Sequence, residues 1–177
     1  SAILSGLFLS PGLAQRSAFE RTPLRMPDIM GYVTLKCDFH MHTVFSDGRV
    51  WPEVRVDEAW AEGLDAIAIT EHIEYQRHRA YVVTDHNAAY EIAKSAGDAS
   101  NILVIKGSEI TRSMPPGHIN AIFITNSAPL NGKDWREDLE IAHNQGGFIF
   151  MNHPCWTAQQ PDGVGRWYPE HSEAFDK

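Results

Sequence analysis

Ala66-Ile67-Ala68-Ile69-Thr70-Glu71-His72 is the stretch on which the fold turns. Its first five residues are short and nearly all apolar, as in a strand buried on both faces. A carboxylate and an imidazole follow directly. Pro52 opens a helix upstream that runs to about Glu62, with Val54, Val56, Ala59 and Trp60 as candidate buried positions and Gly63 as its stop. Before it, Val33–Phe39 reads as a strand. Downstream, Asn87–Ala96 reads as a helix with Gly97 just past it, and Asp85 as its capping residue. Ile102–Ile105 and Ile119–Ile124 read as further buried strands. Asp134–Asn144 reads as a helix capped by Asp134, and Phe148–Met151 as a fifth strand. Strands mostly alternating with helices predict a parallel α/β sheet.

In such sheets functional residues gather at the C-terminal strand ends. His40 and His42 follow the first strand, Glu71 and His72 the second, Glu109 the third and His153 the fifth. His118 breaks the pattern, because it precedes its strand. The richest run is Asp38-Phe39-His40-Met41-His42-Thr43-Val44-Phe45-Ser46-Asp47-Gly48. Two His one residue apart put both imidazoles on one side of an extended chain, where one cation can take both. Asp47 adds a carboxylate on the next loop. The other motifs are Ile69-Thr70-Glu71-His72, then Lys106-Gly107-Ser108-Glu109-Ile110 with Gly117-His118-Ile119-Asn120, and Met151-Asn152-His153-Pro154. This nitrogen and oxygen donor set suits Zn, Mn or Fe. Asp38 and Glu71 read as groups that orient the neighbouring imidazoles. Arg112, three residues past Glu109, is a candidate fork-shaped donor to a phosphoryl oxygen, with a surface salt bridge as the alternative. His78, His86 and His143 have weak context, and His143 is expected on an exposed helix face. Trp51, Trp60, Trp135 and Trp156 read as packing residues, although Trp156 could instead wall a pocket.

The 177 residues allow one domain with a real core, and 43% hydrophobic content fits a globular chain. A net charge of −8 disfavours non-specific nucleic-acid binding and suits a site holding dications. Cys37 and Cys155 form no CxxC, so a thiolate zinc finger is excluded; they read as buried free thiols, with a disulfide possible only if the fold brings them together. The apolar run Ala2–Leu9, with Gly12 and Ala14 after it, reads as the back half of a secretory signal peptide over 1–14. That implies a periplasmic or secreted protein, free of the membrane once the peptide is removed. Residues 15–31, rich in Pro, Arg and Met, read as an extended arm, and 32–177 as the domain.

In this order and spacing the four motifs resemble the polymerase-and-histidinol-phosphatase (PHP) family of metal-dependent phosphoesterases, over about residues 32–160. Leu35–Asp47, Trp51–His72 and Gly107–Asn120 are most similar to bacterial exported phosphodiesterases acting on organophosphate diesters. The resemblance implies an α/β fold, a distorted (β/α)7 barrel, and a trinuclear centre of two or three divalent ions per chain. His40, His42 and Glu109 would hold the first ion, Asp47, His72 and the bridging Glu109 the second, and His118 and His153 the third. A metal-bridging hydroxide would attack phosphorus, with Glu109 and Arg112 as catalytic residues. The family's late Asp-x-His motif is not in this sequence, and His171 follows Glu170 instead. The domain is therefore expected to be partial, with a barrel incomplete at its C-terminus. The expected activity is hydrolysis of small organic phosphodiesters. The alternatives are a phosphomonoesterase and a non-catalytic metal-binding fragment.

Overall fold

The structure, a computed structural model, describes residues 20–130 and 132–175. The segment 1–14, read as a signal-peptide remnant, lies outside them, as does part of the 15–31 arm. Residues 20–28 carry no helix or strand, and Arg21 ties them to the domain by donating to the carbonyls of Trp60 and Leu64.

Five strands and four helices follow in the order β1 (Cys37–Met41), α1 (Pro52–Ala61), β2 (Ala66–Ile69), α2 (Ala88–Ser100), β3 (Leu103–Thr111), β4 (His118–Ile122), α3 (Trp135–Asn144), β5 (Phe148–Met151) and α4 (Pro169–Phe175). The strands lie side by side in chain order and form one curled, half-barrel sheet. β1, β2 and β3 are parallel, joined by the crossovers that α1 and α2 make. β4 runs antiparallel to both β3 and β5. The wholly parallel sheet expected from the sequence is thus corrected. Only residues 112–117 separate β3 from β4, too few for a crossover, so the chain turns back on itself.

Period-two alternation sorts the sheet into two faces. Ile67, Ile69 and Val104 point outward and pack on Val56 and Ala59 of α1 and Ala89 and Ala93 of α2. Ile110 and Ile119 pack outward with Trp135 and Leu139 of α3. Ala66, Ala68, Ile105 and Ile122 point to the concave face, with Phe39 and Phe150 beside them. Ala66 and Ala68 are small, which suits the tight inner radius of a curled sheet. Of the helix positions expected to be buried, Val56 and Ala59 are, but Val54 is exposed. Trp51, 43% exposed, packs its ring against Phe45 with centroids 5.2 Å apart, and Trp135 is buried.

Several boundaries move. β3 is nine residues long, so Glu109 lies within the strand rather than after it. α2 continues through Gly97 to Ser100 and stops at Asn101, whose left-handed backbone (φ 57°) closes the last turn. Gly97 is therefore a point of close approach and not a stop. A Cβ there would lie 2.4 Å from Val104 Cγ2 and 2.7 Å from the Ile102 carbonyl oxygen. Asp85 accepts from the Asn87 backbone N–H at 2.9 Å, and Asp134 caps α3 by accepting from Arg136 N–H at 3.0 Å. Both cysteines are exposed and free rather than buried: Cys37 opens the edge strand β1, and Cys155 sits in the turn after β5. No helix among the described residues is long and apolar enough to cross a membrane.

Gly97→Val should destabilise the chain by about 1–3 kcal/mol, because the added side chain overpacks the α2–β3 contact. Urea denaturation followed by circular dichroism measures this; an unchanged midpoint would contradict the close approach.

Candidate metal centre

Glu109 lies at the centre of the site and is fully buried. One of its oxygens, Oε2, lies 3.2 Å from His40 Nε2, 3.0 Å from His42 Nε2 and 3.1 Å from His72 Nδ1. The other, Oε1, lies 2.8 Å from His118 Nδ1 and 3.6 Å from His153 Nε2. Asp47 Oδ1 is 3.5 Å from His72 Nε2. These seven residues and Trp156 line an open cavity of about 430 Å³.

Each side chain reaches the site for a local reason. The β1–β2 register shifts between Asp38 and Met41, which breaks the alternation. Phe39 then faces the inner core and Met41 the outer one, two residues on. That irregularity turns His40 and His42 together toward the inner face, with their Nε2 atoms 3.1 Å apart. The chain past β2 keeps pairing with β3: Glu109 N–H donates to the Glu71 carbonyl at 2.9 Å and Ile73 N–H to the Glu109 carbonyl at 3.0 Å. His72 is thereby locked beside Glu109. The reversed β4 resolves the anomaly of His118. In an antiparallel strand the N-terminal end meets the C-terminal ends of its neighbours, so His118 opposes Thr111 and joins the same rim.

A ring of polar groups holds the cluster. Asn152 Nδ2 donates to Glu109 Oε1 at 3.1 Å and to Asn120 Oδ1 at 2.8 Å, while Asn120 Nδ2 donates to the Phe39 carbonyl at 3.1 Å. Thr111 Oγ1 is 2.6 Å from His72 Nδ1. Buried Glu71 accepts from Thr43 N–H at 2.9 Å and from the hydroxyls of Thr43 and Ser46. Ser46 Oγ is in turn 3.4 Å from His42 Nδ1. Glu71 therefore reaches His42 through Ser46, rather than orienting its sequence neighbour His72. Asp38 accepts from the His40 backbone N–H at 3.0 Å rather than from the ring. Sequence reasoning gave no role to Thr43, Ser46, Thr111, Asn120 or Asn152, although Asn120 and Asn152 stand beside quoted ligand candidates.

Arg112 does not join the cluster, which corrects the expectation that it grips a phosphoryl oxygen. Its guanidinium is ion-paired with Glu74, donates to the Thr111 and Gly132 carbonyls and lies 3.8 Å from Asp138. A carboxylate within reach outcompetes a distant site for the fork. His143 is exposed, as expected. His171, set aside at the sequence level, is fully buried: Tyr168 N–H donates to its Nδ1 at 3.0 Å, so its Nε2 donates to the Pro116 carbonyl at 2.9 Å.

The charges are strongly unequal. Burial works to raise the Glu109 pKa, yet hydrogen bonds from His118, His40 and His42 hold it far below the usual carboxylate range. Burial pushes His42 down, but the Glu109 hydrogen bond and the Glu109, Glu71 and Asp47 charges outweigh it and raise its pKa. Burial lowers His72 to about 4, so this imidazole is neutral near pH 7. Burial and the neighbouring His118 lower His153 as well.

Cations fit this donor set. Two triads, His40–Glu109–His153 and His42–Asp47–His72, each have ligand atoms within 4.8 Å of one another. Relative to the expected sets, His42 joins Asp47 and His72 in place of a bridging Glu109, and His153 joins His40 and Glu109 rather than His118. Imidazole nitrogens and carboxylate oxygens without thiolate are the donors that Zn, Mn and Fe accept.

A metal ion at His42 must displace the proton that this ring holds above the ordinary value of 6.5. Below that raised pKa the ring is cationic, so Zn affinity should weaken as pH falls, by about tenfold per pH unit for one displaced proton. Calorimetric titration in buffers of different ionisation enthalpy reads both the affinity and the proton release; pH-independent binding would contradict it. Ser46→Ala removes the contact that links His42 to Glu71. It should weaken metal retention about tenfold or more, as metal analysis after dialysis would report.

The PHP domain family matches residues 38–171. A two-domain protein from Bacteroides vulgatus, described as containing a predicted PHP-like metal-dependent phosphoesterase, superposes with a TM-score of 0.86 at 54% identity, over 90% of this chain and 46% of that one. An uncharacterized protein of Methanocaldococcus jannaschii is 38% identical over 85 residues, 48% of this chain and 37% of that protein. The chain thus spans less than half the length of either. With the family match running from Asp38 to His171 and taking in every residue of the cluster, this chain belongs to the PHP domain family.

Proposed function

We propose that this chain carries the metal centre of a phosphoesterase acting on small organic phosphodiesters, its sheet forming part of a distorted (β/α)7 barrel. The observation that carries the reading is the convergence of five imidazoles on the one buried carboxylate of Glu109. His40, Glu109 and His153 would hold one ion and His42, Asp47 and His72 another, with His118 beside them on Glu109 Oε1. Bound ions would supply Lewis acidity to the phosphoryl oxygens and lower the pKa of the water that serves as nucleophile. The protein's own part is positioning. Asn152 holds Glu109 Oε1, Thr111 holds His72, and Ser46 relays Glu71 to His42, so the donors are set before substrate arrives. Neutral His72 offers its lone pair without first losing a proton.

The residues around the cavity favour a diester. A monoester brings an extra negative charge that calls for added Arg or Lys. Among the described residues lining the cavity there is neither. The two cations nearest Glu109 in sequence are engaged elsewhere, Arg112 with Glu74 and Lys106 with Glu91, Asn87 and the Thr125 carbonyl.

His42→Ala should lose turnover to background while keeping its helix and strand content by circular dichroism. The unaltered chain, loaded with Zn or Mn, should hydrolyse diesters faster than matched monoesters. Near-unaltered rates in the variant would refute the ligand assignment, and faster monoester cleavage would overturn the substrate class.

A further inference from the structure

Trp156 is the cavity-lining residue that the ligand cluster does not use. The residue is 46% exposed, which leaves apolar surface open beside charged groups. The backbone beneath it is fixed. Trp156 N–H donates to the His153 carbonyl at 2.9 Å, and the Trp156 carbonyl accepts from Gln159 and Gln160 at 2.9 and 2.7 Å. Gln159 Nε2 ties this turn to the Arg112 carbonyl, just past β3, at 3.0 Å. The indole is thus presented by a braced turn. Its centroid lies 5.2 Å from the His153 ring and 5.6 Å from the His118 ring, at interplanar angles of 73° and 69°. Both contacts are edge-on. Among the described residues no aromatic ring stacks in parallel on the indole, and no group accepts a hydrogen bond from its N–H. An exposed, unstacked indole at a catalytic rim is a platform for a planar ligand group.

Reach narrows the ligand. The indole touches the same two imidazoles that face Glu109 Oε1. A phosphoryl group held at the cluster therefore has the indole beside it, within the same cavity. The leaving group's chemistry agrees. Every ionisable side chain lining the cavity belongs to the Glu109 cluster, which leaves none free as a general acid among those residues. A phenolic oxygen, with a pKa of about 10, departs without one far more readily than an alkoxide does.

We propose that Trp156 is the specificity-determining residue of this site, stacking the aryl group of an aryl phosphodiester. The proposal rests on the phosphoesterase reading above. In the reaction the oxygen of water bonds to phosphorus, the P–O(aryl) bond breaks with its electron pair on the aryl oxygen, and the protons of the water pass to the products.

The test compares phenylphosphonate with methylphosphonate, which cannot be hydrolysed, by calorimetric binding to the metal-loaded chain, alongside kcat/KM for methyl phenyl phosphate and dimethyl phosphate. Phenylphosphonate should bind about tenfold tighter than methylphosphonate, the gain expected of one aromatic stack. Trp156→Ala should erase that ratio and Trp156→Phe should keep most of it, with the effect on the aryl diester falling mainly on KM. A ratio unchanged in Trp156→Ala, or absent from the unaltered chain while both phosphonates bind, overturns the aryl assignment alone. Failure of either phosphonate to bind and of either diester to react overturns the phosphoesterase reading, and this proposal with it.

Discussion

A single carboxylate, out of water, is surrounded by five imidazoles. Removing Glu109 from solvent costs several kcal/mol unless its charge is answered on every side. The answer comes from four stretches of chain: the end of β1, the segment after β2, the start of β4 and the turn after β5. Any local unfolding that removes one of them leaves the charge less compensated. The sheet's curl, the strand order and the outer ring of hydrogen bonds all serve to keep these pieces around one point.

The reversal of β4 is the feature on which the site most depends. With β4 parallel, His118 would lie at the far end of the sheet from Glu109. Antiparallel pairing places Asn120 opposite Glu109 and His118 opposite Thr111. His118, Asn120 and Ile122 then share the concave face, one as a cluster member, one as a brace and one as core. β5 repeats this, with Phe150 in the inner core and Asn152 at the cluster. Each strand is thus apolar at one end of its inner face and polar at the other, and the cavity opens at the polar end.

How much of this was legible in the sequence follows from which interactions are local. Five of the nine His, with Asp47 and Glu109, stood out because ligand chemistry depends on residue type, and strand ends are recognisable from apolar runs. The sense of β4 was not legible from alternation of elements, because it is decided by the length of a six-residue connection rather than by any apolar pattern. Gly97 looked like a helix stop because glycine is common there, yet tertiary contact with Val104 uses it inside α2. Thr43, Ser46, Asn120 and Asn152 carry no signal of their own, since short polar side chains acquire a role only when distant chain meets them. Arg112 misled for the opposite reason: its spacing from Glu109 suggested a substrate contact, but Glu74, 38 positions earlier, captures it.

His42 and His72 show what the carboxylate can and cannot impose. Their rings stack, with centroids 4.3 Å apart, and both touch Glu109 Oε2. Yet one is pushed up and the other down. Two stacked rings beside one negative charge do not both charge, because each repels the other's proton in a medium poor in water. His42 has Glu71 behind it through Ser46, and this second carboxylate favours its proton. His72 is pushed down first by burial and then by the His42 charge, which together outweigh the pull of Glu109 and Asp47. The protonation pattern is therefore set by burial and by all the neighbouring charges together.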